Sequence, residues 1–477
     1  MKPIVKPSVK HIVHSICMLC WIVIFIRTAS NESSDDPDPW ETYGVLVTVI
    51  CILLRLLTLL AFPQTFLNFI SLLIYDTFKG KVQLKVAPQS APFFAVRVVT
   101  RGLYPNLVEK TVRQNEETFL QVGCEDFAIE VVTDVPLNLP IYENSHRIRE
   151  IVVPKDYQTS TGALNKSRAL QYCWEDTINL IDDKEWILHL DEETLVTSES
   201  VKGFLNFIHE DKYSIGQGMI TYAVKQATHK DLWSNVQTRI CTVADSFRVA
   251  EDLGKIRGQF NLFSKGIFGM KGSYVVTKAA CERLVNFDNG YNGSLAEDAY
   301  FALKAIDQGY TFGFIEGEMW EKSPFSFNDF IKQRQRWMRG IYLTAFDSKL
   351  SLKSRLLMMA SIIAWLTVPL TTCNAILVKL FPMKLWFVID WMITFTGAMA
   401  LYFYALGYVL QHRFVRRNFW RKILMVPEIL VASTASIICE NIAVVTLWFG
   451  SWSHFYIVQK ETEEEQSDLK SIKIEQI

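Results

Sequence analysis

Hydrophobic and polar positions divide the chain into three regions. Long apolar runs sit at both ends, and between them short apolar runs alternate with amphipathic ones. Residues 12–26 are apolar and uncharged and follow Lys2, Lys6 and Lys10. That run falls short of the ~20 residues of an ordinary span, and it predicts a short signal anchor or a cleaved signal peptide. An acidic segment, Asn31 to Trp40, comes next. A second apolar stretch, Val45 to about Ile74, is interrupted by Arg55 and Pro63. It predicts one tilted span plus an interfacial segment.

In the middle region, strand patterns fall at Phe93–Thr100, Phe127–Thr133, Ile148–Val153, Trp186–Asp191 and Tyr310–Ile315. Helical patterns fall at 105–121, 163–181, 229–255, 296–308 and 326–346. Strands alternating with helices predict βαβ units and a mainly parallel α/β sheet. The last third predicts spans at 356–378, 385–410 and 423–449. The expected organisation is an N-terminal membrane part (1–80), a soluble domain (81–350), C-terminal transmembrane helices (351–450) and a polar tail (451–477).

Orientation follows from charge. Whether the first stretch anchors or is cleaved, residues 31–42 lie outside, and the next span returns the middle domain to the cytosol. Arg and Lys crowd residues 412–422, which marks a cytosolic loop. The same counting sends the tail outside, through a last span that carries Glu428 and Glu440. A multi-pass protein of the endoplasmic reticulum or Golgi is expected. Composition adds little: the net charge of −1 gives no nucleic-acid footprint. The nine cysteines lack metal-site spacing, and Cys17-x-x-Cys20 lies inside an apolar run.

Four places carry candidate chemistry. The strand ending Leu190-Asp191-Glu192-Glu193 puts acids where open α/β sheets bind ligands. Asp191 and Glu193 are candidates to share a divalent cation (Mn or Mg) bridging a diphosphate, or else to form a solvated acidic turn. Glu297-Asp298 opens a helical pattern; Asp298 is either a capping group or a general base for an acceptor hydroxyl. Gln333, Arg336 and Trp337 fall on neighbouring faces of a basic helix that leads into a span. Arg336 suits diphosphate oxygens and the Trp337 indole suits a sugar ring, while the bland reading is a membrane-surface helix. Asp134 ends another buried strand, as a turn residue or an acceptor for a base N–H.

In this order and spacing, Asp134, Asp191-x-Glu193, Glu297-Asp298 and Gln333-x-x-Arg336-Trp337 resemble the family 2 glycosyltransferases. The resemblance implies an inverting enzyme with a GT-A type nucleotide-sugar domain over about 80–345. Ile151-Val-Val-Pro-Lys-Asp-Tyr157, Thr161-Gly-Ala-Leu164, Lys166-Ser-Arg-Ala-Leu-Gln-Tyr172, Gly293-Ser-Leu-Ala-Glu-Asp298 and Phe314-Ile-Glu-Gly-Glu-Met319 resemble more closely the egghead-type β-1,4-mannosyltransferases of invertebrates. That resemblance implies GDP-mannose as donor and glucosylceramide, a glycolipid held in the bilayer, as acceptor. Two departures stand out. The second acid of the metal motif is Glu193 where Asp is common. Ser160 and Thr161 stand where a basic residue is usual, which leaves Lys155, Lys166 or Arg168 for the diphosphate. The competing expectations are a processive polysaccharide synthase using a UDP-sugar and a non-enzymatic scaffold or transporter. The transporter reading finds only Arg55, Glu428 and Glu440 as obvious polar residues within spans.

Overall fold

The computed structural model describes residues 7–29, 38–78, 80–223, 229, 231–412, 422–449, 456 and 458–460. Its centre is a seven-stranded sheet in the order β3-β2-β1-β4-β6-β5-β7. The strands are β1 Phe94–Thr100, β2 Phe127–Thr133, β3 Ile148–Val152, β4 Trp186–Asp191, β5 Ile215–Thr221, β6 Val275–Lys278 and β7 Phe312–Trp320. Strands β1 to β4 pair in parallel, with Thr100 opposite Thr133 and Val99 opposite Asp191. Being covered on both faces, β1 and β4 read as continuous apolar runs instead of alternating ones. One charge sits at their centre: buried Arg97 donates to Glu130 at 2.8 Å and to Glu282 at 2.9 Å.

The sheet is mainly parallel, as expected, with one exception. Strand β6 runs antiparallel to both β4 and β5. The start of β6 therefore meets the ends of β1, β2, β4, β5 and β7 at one edge. Two strands escaped the sequence pattern. β6 has only four residues, and β5 contains Gly216 and Gly218, so its alternation is weak. Those glycines are required by packing. A Cβ on Gly218 would lie 2.1 Å from the Tyr274 ring, and one on Gly216 would lie 2.6 Å from that of Phe207.

In chain order, the helices that bear on the site are α1 Val9–Ala29, α2 Gly44–Thr58, α3 Phe62–Ile74, α4 Pro105–Val122, α5 Asn165–Tyr172, α6 Ser198–Glu210, α7 Leu232–Ala244 and α8 Ser246–Glu251. After a wide turn at Asp252–Ile256 come α9 Arg257–Phe263, α10 Ala279–Val285, α11 Glu297–Asp307 and α12 Phe327–Phe346. Last are α13 Leu352–Leu366, α14 Val368–Leu380, α15 Phe387–Gln411 and α16 Met425–Phe449. Two expectations need correction. The helix expected at 163–181 ends at Tyr172, where Trp174 and Glu175 turn back onto Gln171 and Tyr172. The single helix expected at 229–255 is broken at Asp245, whose carboxylate holds Arg334 at 2.8 Å. From Ser246 the helix runs on through a wider-wound turn at 252–256 into α9, and there a Cβ on Gly254 would come within 2.1 Å of Asn68 Oδ1. α6 and α10 were not anticipated.

Helices α1, α2 with α3, α15 and α16 are long and apolar enough to cross a membrane, and α13 with α14 form a pair bent by 60°. α1 and α15 run antiparallel, with Trp21 bonded to the Ala398 carbonyl at 2.8 Å and His14 to Tyr402 at 2.7 Å. The end of α15 rests on the α/β domain, since Gln411 donates to the Thr242 carbonyl at 2.8 Å. Helix α16 departs from expectation. Its start pairs Glu428 with Arg239 of α7, and its later turns pair Glu440 with Arg334 and Thr446 with Gln335, both of α12. Both its ends thus rest on the α/β domain. The tail beyond it returns to that domain, so residues 458–460 lie on the domain's own side of the helix layer and not across it. The basic segment expected as a loop, 412–422, falls mostly outside the described residues, as do Asn31 and most of the tail.

Candidate active site

The shared sheet edge gathers the acids. Asp191 closes β4, Asp134 follows β2, Glu321 follows β7, and Lys271 to Ser273 precede β6. Together with the start of α11 and the middle of α12 they line a cavity of about 710 Å³. All eight site residues read from the sequence line it: Asp134, Lys166, Asp191, Glu193, Asp298, Gln333, Arg336 and Trp337. Their pairings differ from a bare inventory.

Lys166, on α5, sits between carboxylates: its ammonium is 2.7 Å from Asp191 Oδ1, 2.8 Å from the Gly272 carbonyl and 3.5 Å from Glu297 Oε1. Burial works against its charge, but Asp191 and Glu297 outweigh that and raise its pKa. Burial would also raise Asp191, yet Lys166, Lys460 and Arg336 hold it down at about 2. Glu193 moves the other way. Burial and the neighbouring acids push it up to about 7, against the pull of Lys460. Burial, then repulsion by Glu297, likewise pushes Asp298 up to about 7. That places Asp298 in the range that suits a general base near neutral pH. Its Oδ1 accepts from the Ala299 N–H at 2.7 Å, which leaves Oδ2 for other partners.

Gly272 keeps space at the point where these groups converge. A Cβ there would stand 3.2 Å from Glu297 Oε1, 3.3 Å from Asp298 Oδ2 and 3.3 Å from Lys166 Nζ. Asp134 is already engaged by Arg168 at 2.7 Å and by Arg101 at 3.7 Å. Two guanidinium groups crowd Trp337, with Arg248 4.6 Å and Arg334 4.4 Å from the ring centroid. Gln333 accepts from Arg334 at 3.0 Å.

One cavity-lining side chain was missed. Lys460, from the tail, lies 2.6 Å from Glu193 and 3.0 Å from Glu192, and its carbonyl accepts from Lys322 at 3.2 Å. Tyr456 bonds Asp329 nearby. The only signal for this was the short apolar run Phe455-Tyr-Ile-Val458 in an otherwise polar tail. Among the described residues, no three His, Cys, Asp or Glu side chains converge on one metal point. The donor set fits a hard cation of the kind that takes one or two carboxylates and draws its remaining ligands from phosphate and water.

The cavity does not end at the sheet. It continues between the apolar helices, past Gln64 on α3, Ser361 and Trp365 on α13, Tyr404 on α15 and Glu440 on α16. A polar, acid-lined cleft thus opens into a layer of apolar helices.

Residues 186–410 match the family described as glycosyl transferase family group 2. The chain is 46% identical to the β-1,4-mannosyltransferase egh of Drosophila melanogaster over 459 residues, covering 95% of this chain and 98% of that one. It is 43% identical to the β-1,4-mannosyltransferase bre-3 of Caenorhabditis elegans over 463 residues, 96% and 99% of the two chains. Among solved structures, S. aureus TarS 1–349 covers 77% of this chain and 96% of its own at 12% identity, with a TM-score of 0.34, too distant for comparison residue by residue. At 43–46% identity over nearly the whole length, the protein belongs to the family of the egh and bre-3 β-1,4-mannosyltransferases and is a family 2 glycosyltransferase.

Proposed function

We propose that the protein transfers mannose from GDP-mannose to the sugar of glucosylceramide, forming a β-1,4 linkage with inversion at the mannose C1. The observation that carries this reading is the continuous cavity from Asp298 to the apolar helices. A lipid acceptor lying among those helices presents its sugar to the acids without leaving the membrane. The α/β domain then faces the cytosol, where nucleotide sugars are made, on the endoplasmic reticulum or Golgi.

Asp298 takes the proton from the acceptor hydroxyl as its oxygen attacks C1, and the bond from C1 to the diphosphate oxygen breaks in line. Lys166, with Arg336 across the cleft, offers positive charge to the departing nucleoside diphosphate. Asp191 and Glu193 are the residues to hold a divalent cation, which when bound neutralises diphosphate charge. Lys460 has to leave Glu193 for that carboxylate to serve. Asp134 and Gln333 line the donor side of the cleft.

The test incubates the full-length protein in lipid nanodiscs with labelled GDP-mannose, UDP-glucose or UDP-N-acetylglucosamine and with glucosylceramide, and weighs the lipid products. One added hexose from GDP-mannose alone is expected. A ladder of hexoses would point to a processive synthase, and transfer only to soluble sugars would refute the lipid acceptor. With chelator present, transfer should stop. Asp191→Ala and Glu193→Ala should lose cation-dependent donor binding yet remain folded.

A further inference from the structure

The helix-layer end of the cavity holds two polar side chains with no visible task. The Gln64 amide and the Ser361 hydroxyl line it, are half-buried, and make no side-chain hydrogen bond to another described residue. The other polar groups around them are matched. Glu440 accepts from Arg334 and from the Trp365 indole N–H. Arg334 also holds Asp245, and Lys255 pairs with Glu251 at 2.7 Å. Gln64 follows Pro63 at the first turn of α3, next to the break between α2 and α3. Ser361 is on α13, which packs against that break. The two residues therefore line one cavity from two neighbouring helices.

Polar groups facing an apolar layer are costly unless something bonds them. Gln64 offers both a donor and an acceptor, and Ser361 does the same. With the cations at this end already paired, a phosphate linker finds little to neutralise it. An uncharged amide or hydroxyl finds two partners. We propose that Gln64 and Ser361 determine acceptor specificity by hydrogen-bonding a neutral amide or hydroxyl lying between the sugar of the acceptor and its hydrocarbon chains. This rests on the lipid-acceptor reading above and adds which residues select the lipid. A site built to bond such a group discriminates against an acceptor without it, because its own polar atoms are then left unpaired.

The experiment compares two acceptors that carry the same glucose, glucosylceramide and octyl β-glucoside, which has no amide. The full-length protein in nanodiscs is supplied with GDP-mannose, and the ratio of kcat/KM for the two acceptors is read. The wild type should favour glucosylceramide. Gln64→Leu and Ser361→Ala should each lower the ratio by about 5-fold, the value of one hydrogen bond. Ser361→Thr, which keeps the hydroxyl, should restore it. A merely structural role would lower both acceptors together and leave the ratio unmoved. An unmoved ratio in both variants overturns the inference while transfer to glucosylceramide stands. No transfer to either lipid by the wild type overturns the lipid reading and the inference with it.

Discussion

Replacing Asp298 by asparagine separates two consequences of one buried carboxyl. The first is chemical: the amide cannot take the acceptor proton, so turnover should fall by roughly 10²–10⁴ while donor affinity stays nearly constant. The second is thermodynamic. Burial and Glu297 raise the Asp298 pKa from 3.8 to about 7. The sign is opposite to that of a salt-bridged carboxylate. Below pH 3.8 the group is neutral in the folded and unfolded chains and contributes nothing. Between about pH 4 and 7 the unfolded chain ionises freely while the folded one keeps its proton, so stability falls as pH rises. Above about pH 7 the loss is complete, at most about 4 kcal/mol from roughly 1.36 kcal/mol per pKa unit. Water entering the cleft lowers this figure. The substituted amide never ionises, so Asp298→Asn should melt higher than the wild type, by more at pH ~8 than at pH ~5. Wild-type kcat should rise through about pH 7 and then level. Thermal melts across pH and single-turnover assays with saturating donor measure both effects. Near-wild-type turnover in Asp298→Asn, or a melting temperature below that of the wild type under mildly alkaline conditions, would refute the reasoning.

Other expectations follow from the geometry. Gly272→Ala brings a methyl to within 3.2–3.3 Å of Glu297, Asp298 and Lys166; turnover should drop about 10-fold with little change in melting temperature, since the flexible ends of those side chains can give way. Glu282→Gln removes a buried charge that Arg97, His189 and Thr277 all contact. Leaving Arg97 underpaired should cost about 3–5 kcal/mol, read as a lower melting temperature or lost folded yield. A protease site inserted after Lys460 should be cut in sealed microsomes by the same added protease that reaches the α/β domain; protection of that site alone would contradict the position of the tail.

Much of the fold was legible because the chain obeys simple periodicities. Strands β1, β2 and β4 are apolar runs with one buried polar or charged residue inside each, Arg97, Glu130 and His189, while β3 carries Arg149 and Glu150 between its apolar ends; α4, α11 and α12 appeared within a residue or two of their expected bounds. β5 was hidden for a packing reason, since glycines that admit Tyr274 and Phe207 erase its alternation, and β6 because it has only four residues. The ion pair at the Asp245 break was invisible because its partner, Arg334, lies 89 residues further on. The cavity-lining acids were legible since they end strands or begin a helix. Which cation meets which acid was not: Lys166 was one of three candidates for the diphosphate, and Lys460 stood unremarked in the tail. The orientation of α16 also lay beyond hydropathy, which measures how apolar a helix is but not whether both its ends rest on the same domain.

The place of Lys460 has a consequence for how the enzyme comes into being. Synthesis is vectorial, and N-terminal parts generally fold first. Asp191, Lys166 and Asp298 can therefore assemble while the ribosome is still making the apolar helices. Glu192 and Glu193 meet their lysine only after α16 has been laid along the domain. A nascent chain thus carries Glu192 and Glu193 without their lysine, and a truncation just after α16 would keep that immature state permanently. A protein cut short just after α16 would therefore differ from the full-length one inside the cleft itself, at Glu192 and Glu193.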